Sequence, residues 1–258
     1  MQKIGRDVSA AQYWADKNEQ YVAALANSYH AHRLGVVKSL IGQFDPAGKT
    51  VLDFGCGDGV MLDHFAGATK IGIEPDKGLI SHARARDASA TFYLGGPAEL
   101  AKVPDASIDL VLSLNVNAYM TDAEDRAFYE GVRRALKPGG VLVITHSNEL
   151  FDLFTLNAYT VHFFETHFGT ANARWLLVRP SEPADATYNI RENPLTYGRK
   201  LALFGLVEER QEFINYHEKP PLLGKDRAVY RDTLQVPEHD RWKLMFQCST
   251  FGARARKA

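Results

Sequence analysis

Between residues 50 and 146, short β-branched and apolar runs alternate with stretches whose apolar positions recur every third or fourth residue. Parallel strands joined by crossover helices have this pattern. Thr50-Val51-Leu52-Asp53-Phe54 predicts a first strand, followed by a glycine turn and a helix from about Val60. Lys70-Ile71-Gly72-Ile73 predicts a second strand with a helix over 79–86, and Thr91-Phe92-Tyr93-Leu94 a third strand. Ile108-Asp109-Leu110-Val111-Leu112-Ser113-Leu114 is apolar enough for a fourth strand buried on both faces. Thr121-Asp122-Ala123-Glu124 opens a helix with a capping signature, and Pro138-Gly139-Gly140 stops it after Leu136. Val141-Leu142-Val143-Ile144-Thr145 predicts a fifth strand.

Before this core, residues 11–41 read as mostly helical and amphipathic, with Tyr13, Trp14, Tyr21 and Tyr29 among them. Residues 1–45 are therefore expected to form a helical lid. After the core, regularity lapses until Phe204-Gly205-Leu206-Val207-Glu208-Glu209, a helix end and strand start, and 243–251 predicts a final strand. The stretches 147–203 and 214–242 are longer than ordinary connections, which marks them as functional elaborations of a single domain. The first carries Phe151, Phe154, Tyr159, Phe163, Phe164, Phe168 and Trp175 at near-helical spacing, which suits either a packed helix or a substrate lid.

Composition narrows the partners. Lys and Arg number 30 against 31 Asp and Glu, so no charge excess calls for nucleic acid or an anionic membrane. The basic run Arg254-Ala255-Arg256-Lys257 is expected to be a solvated tail. Two cysteines, Cys56 and Cys248, cannot supply a secreted disulfide framework and are expected as reduced thiols. No basic-then-apolar leader opens the sequence, and no apolar run approaches the roughly 20 residues of a membrane span. The expected location is the cytoplasm. The assembly state stays open, with a homodimer as the candidate.

Val51-Leu52-Asp53-Phe54-Gly55-Cys56-Gly57-Asp58-Gly59 places three glycines at alternate positions directly after a strand. Residues without side chains let the backbone turn sharply and approach a ligand closely, and the turn aims the next helix at it. The spacing is G-x-G-x-G, one residue short of the dinucleotide fingerprint, and no Gly-Lys-Ser/Thr follows for a phosphate loop. Glu74 closes the second strand about 21 residues after Asp53, where a doubly wound fold presents an acid to ribose hydroxyls.

These motifs, with Gly96-Pro97-Ala98-Glu99-Leu100 and Arg134-Ala135-Leu136-Lys137-Pro138-Gly139-Gly140, resemble the class I S-adenosylmethionine-dependent methyltransferases over residues 50–146. The resemblance implies an α/β fold, a Rossmann-like doubly wound seven-stranded mostly parallel sheet with a helical N-terminal lid and an inserted substrate-lid segment. It implies S-adenosyl-L-methionine as cofactor. Asp53, Gly55, Cys56 and Gly57 would hold its methionine end, and Glu74 with Pro75 the ribose. Ala98 and Glu99 would lie at the adenine, where Pro97 replaces the aspartate often found in the family. Asn115 would line the methionine moiety, Tyr21 would cover the cofactor, and Arg33 would pair its carboxylate.

Ligands of this topology bind above the carboxyl ends of the parallel strands, so both long insertions should build an acceptor pocket. A sulfonium is already a strong electrophile, and the protein must mainly align a nucleophile and exclude water. A hydroxyl nucleophile also needs a base. His146, after the fifth strand, and Tyr119, after the fourth, are the candidates, with His162 and His167 further off in the insertion. No acid–histidine cluster has metal-ligand spacing. The expected activity is O-methylation of a small molecule such as a sugar or secondary metabolite. N-methylation, or cofactor binding without turnover, are the alternatives.

Overall fold

A computed structural model describes residues 28–155, 191–217, 233–234 and 236–258. Helix α1 (Ser28–Ile41) precedes β1 (Thr50–Phe54), β2 (Thr69–Glu74), α2 (Lys77–Arg86), β3 (Thr91–Leu94) and β4 (Ile108–Leu114). Then follow α3 (Asp122–Ala135), β5 (Leu136–Ser147), α4 (Glu149–Thr155), α5 (Tyr197–Leu203), β6 (Leu206–Tyr216), α6 (Arg241–Gln247) and β7 (Cys248–Lys257). The seven strands form one sheet in the order β3-β2-β1-β4-β5-β7-β6. β1 to β5 run parallel, and β7 is antiparallel to both β5 and β6. The order reverses between β1 and β4, so a crevice opens at their carboxyl ends.

Alternation along the central strands sends side chains to two apolar layers. Val51, Leu110, Leu112, Val141 and Val143 meet Val36, Val37 and Leu40 of α1 and Ile80 and Ala83 of α2. Leu52, Phe54, Val111, Leu142 and Ile144 meet Phe128, Tyr129 and Val132 of α3 and Tyr197 and Leu201 of α5. The predicted capping box is present: Thr121 Oγ1 accepts from the Glu124 N–H, and Glu124 accepts from the Thr121 N–H.

Four expectations need correction. The segment from Val60 is a five-residue 3-10 helix, Val60–His64, and not a longer helix. The fifth strand is longer than predicted, because Ile108 pairs with Leu136 ahead of the Pro-Gly-Gly turn. Residues 243–247 are helical: within α6 Leu244 is fully buried while Trp242 and Phe246 face out, a helical pattern, and only from Cys248 does a strand run. The basic terminal run belongs to β7, with Ala253 and Ala255 buried on one face. On the other, Arg254 donates to the Leu40 and Ile41 carbonyls at the end of α1, and both Arg254 and Arg256 pair with Glu209 of β6. Cys56 and Cys248 are buried free thiols.

A polar seam crosses the layer between the sheet and α3 and α5. Ser113 Oγ donates to Asn117 Oδ1 at 3.0 Å, and Asn117 Nδ2 donates to Asp125 Oδ1 at 2.8 Å. Lys200 of α5 pairs with Asp125 of α3 at 2.5 Å and also with Glu192, where the chain returns from the first insertion. The Lys200 ammonium lies 5.0 Å from the centre of the Tyr129 ring. Tyr129 and Tyr197 share a hydroxyl–hydroxyl bond of 2.8 Å, and the Tyr197 hydroxyl is 2.8 Å from His146 Nε2. Removing one partner from a buried ionic cluster leaves the others uncompensated. Lys200→Met should therefore lower the unfolding free energy by about 3 kcal/mol. An unchanged urea midpoint would show the cluster to be energetically idle.

Burial, reinforced by the Lys200 charge, holds the His146 imidazole well below its ordinary 6.5. The unfolded chain binds that proton more readily, so its stability contribution is fully present above about pH 6.5 and is lost as pH falls below it. Unfolding free energies of wild type and His146→Phe, compared from pH 7.5 to 5, should converge as acid is added. Parallel curves would show that His146 titrates alike in both states.

Candidate functional site

The glycine loop leaves β1 at the centre of the crevice. Gly55 and Cys56 both donate to the Ile73 carbonyl, at 2.7 and 3.1 Å, which folds the loop across the end of β2. Gly55 has φ +74°, and a Cβ there would lie 2.3 Å from Val116 in the turn after β4, so only glycine lets these two turns meet. Above Gly57 a Cβ would meet nothing within 4 Å. The loop thus presents bare backbone next to open space, a cradle shape that fits a ligand.

Two buried carboxylates sit at the base of this cradle. Glu74, 5% exposed, accepts from the Gly57 N–H through Oε2 at 3.0 Å and from the Asp76 N–H through Oε1 at 2.9 Å. Burial pushes its carboxyl up, and the two N–H donors oppose that. Asp76 in turn caps α2 through the Leu79 N–H at 2.7 Å. Pro75 is half-buried between the two acids. Asp53 is 3% exposed, and among the described residues no hydrogen-bond donor reaches its carboxylate. Burial, then the nearby Glu74, push its carboxyl up to about 7 against the opposing Arg33 charge from α1. Burial likewise raises the Cys56 thiol, which stays protonated.

Asn115 holds the left-handed conformation at φ +61° just beyond β4. Its Oδ1 accepts from Thr145 Oγ1 at 2.8 Å, which ties this turn to β5. Ala98 is exposed and Glu99 half-buried at the start of a 3-10 helix, Pro97–Lys102, with Glu99 paired to Lys102 at 2.5 Å. Tyr119 is half-buried and ends the 3-10 turn Asn117–Tyr119. Tyr21, Tyr13, Trp14, His162, His167 and the insertion aromatics Tyr159, Phe163, Phe164, Phe168 and Trp175 lie outside the described residues.

His146 is placed differently from Tyr119. It is 1% exposed, with its ring 4.8 Å from that of Tyr197 and 5.7 Å from that of Phe251. It therefore belongs to the packed seam under the sheet's end and not to an open pocket. Asp125, Glu192 and Lys200 were missed as parts of the site's framework. Asp125 carried a usable signal, since it shares the 125, 128, 129, 132 stripe with Phe128, Tyr129 and Val132, and a charge on an apolar stripe requires a partner. Among the described residues no group of three or more His, Cys, Asp or Glu could hold a metal ion, and no helix is long and apolar enough to cross a membrane.

Residues 52–144 match the model of a methyltransferase domain family. The chain is 33% identical over 169 residues to a 2-methyl-6-phytyl-1,4-hydroquinone methyltransferase of Synechocystis, covering 63% of this chain and 48% of that one. It is 26% identical over 192 residues to a ubiquinone biosynthesis O-methyltransferase of Azorhizobium caulinodans, covering 68% of this chain and 74% of that one. For most of the curated relatives, the matched stretch spans about half of the relative's length. Its fold is shared with magnesium protoporphyrin IX methyltransferase of Synechocystis, solved with bound S-adenosylhomocysteine, at a TM-score of 0.60 and 13% identity over 96% of this chain and 97% of that one. Over residues 52–144 the chain therefore carries a methyltransferase domain, and it is similar to the S-adenosylmethionine-dependent methyltransferases and shares their fold.

Proposed function

We propose that the protein transfers the methyl group of S-adenosylmethionine to a hydroxyl oxygen of a small phenolic or hydroquinone-like acceptor. The observation that carries the cofactor half is the cradle itself: bare backbone at Gly57 above two buried acids. Asp53 would face the ammonium of the methionine end, and Arg33 its carboxylate. Gly55, Cys56, Gly57 and Asn115 would line that end, Glu74 and Pro75 the ribose, and Ala98 and Glu99 the adenine. Bound there, the cofactor supplies an electrophilic methyl.

The acceptor half rests on what the crevice offers as a base. His146 is enclosed and held neutral, a poor proton acceptor for a bound substrate. Tyr119 is half-buried and ends the turn whose Val116 meets the glycine loop. A phenol ionises near pH 10, several units more easily than a sugar hydroxyl, and needs less help from the protein. The similarity to a ubiquinone biosynthesis O-methyltransferase and to a 2-methyl-6-phytyl-1,4-hydroquinone methyltransferase favours the same class. We therefore assign the proton-accepting or positioning role to Tyr119 and a framework role to His146.

Labelled methyl from S-adenosylmethionine, offered with catechol, hydroquinone, sugar and primary-amine acceptors, should appear on the phenolic oxygens. Tyr119→Phe should slow that transfer by roughly 10²-fold. Transfer to amines alone would overturn the oxygen assignment. Glu74→Ala removes charge-assisted hydrogen bonds to the ribose, typically about 1.5–3 kcal/mol, and should weaken cofactor binding roughly tenfold to a hundredfold. Unchanged affinity in calorimetry would show that loading needs neither a ribose contact of Glu74 nor its brace between Gly57 and Asp76.

A further inference from the structure

The two acids under the glycine loop are not equivalent. Both Glu74 oxygens are engaged by backbone N–H groups, which favour its ionised form. Asp53 has no donor among the described residues, although it is slightly more deeply buried. The groups facing it from neighbouring elements give little relief. β2 brings Glu74, of the same sign, and the loop brings the protonated thiol of Cys56. β4 pairs Leu112 with Asp53, and the turn beyond it carries the uncharged Asn115. Nearby, Asp58 is paired with Arg86 at 2.9 Å and Asp76 is spent on the α2 cap. Among the described residues the Arg33 charge from α1 is the one opposing influence, and burial outweighs it. A buried carboxylate without donors is costly, and taking up a proton is the ordinary relief.

Building on the cofactor assignment above, we propose that Asp53 exchanges a proton for the cofactor. It is protonated in the free protein and ionises as the cationic methionine end docks, so that binding expels a proton to solvent. The O–H bond of the Asp53 carboxyl breaks with its electron pair left on oxygen, the proton passes to buffer, and the carboxylate faces the ligand ammonium. Net charge in the buried cradle then stays unchanged on loading, which avoids stranding either charge alone. Cofactor loading becomes sensitive to pH just below neutrality, where Asp53 changes state.

Calorimetric titration of the full chain with S-adenosylmethionine at pH 6.0 and 7.0 tests this, in buffers of different protonation enthalpy. At these pH values the ligand's own amine, with an ordinary pKa of about 7.7–8.0, remains largely charged. The apparent enthalpy should vary with buffer, giving close to one proton released per cofactor at pH 6.0 and about half a proton at pH 7.0. Affinity should rise about fivefold between the two. Asp53→Asn should abolish the buffer dependence. Wild-type binding with no buffer dependence at pH 6.0, or dependence that persists in Asp53→Asn, would overturn the proposal while leaving the cofactor site intact. A folded wild type that does not bind S-adenosylmethionine would instead overturn the site assignment and this proposal with it.

Discussion

The cradle depends on one carboxylate binding two backbone amides. Glu74 joins the Gly57 N–H of the loop after β1 to the Asp76 N–H at the head of α2. Those two segments come from neighbouring strands, so this single side chain sets how the loop stands over the sheet. Gly55 and Cys56 add a second constraint by donating to the same Ile73 carbonyl. Gly55 must then pass within touching distance of Val116, which brings the turn after β4 into the same wall. Three strand ends are thereby locked into one rim before any ligand arrives, and such preorganisation reduces the ordering that binding would otherwise require.

Much of this was legible in the residues because local pattern and tertiary environment agree there. β1 and β4 lie where the apolar runs place them, since central parallel strands are buried on both faces and alternation with polar residues is suppressed. The glycine triplet was legible for a different reason: positive φ and close approach leave few choices of residue. The failures occur where a long-range partner overrode local appearance. Arg254 and Arg256 look like a soluble tail, yet Glu209 and the α1 carbonyls satisfy them, and the small Ala253 and Ala255 let β7 pack flat. The span 243–247 reads apolar enough for a strand, but only Leu244 is fully buried. His146 was legible as a strand-end residue, whereas the tyrosines that enclose it come from α3 and α5, distant in sequence.

The seam around Lys200 relates the root of the first insertion to the turn after β4. Glu192 marks the return of the first insertion, and its backbone is fixed by N–H donation to the Ser147 carbonyl. Lys200 links that point to Asp125, and Asn117 carries the connection to Ser113 at the end of β4. The turn bearing Val116 and Tyr119 is therefore tethered from both directions, by the glycine loop and by the insertion's root. The same connection explains why His146 is better suited to framework than to proton transfer. Its ring is enclosed by the aromatic groups that close the seam, and opening a path to it would admit water to the Lys200 ion pairs and weaken them.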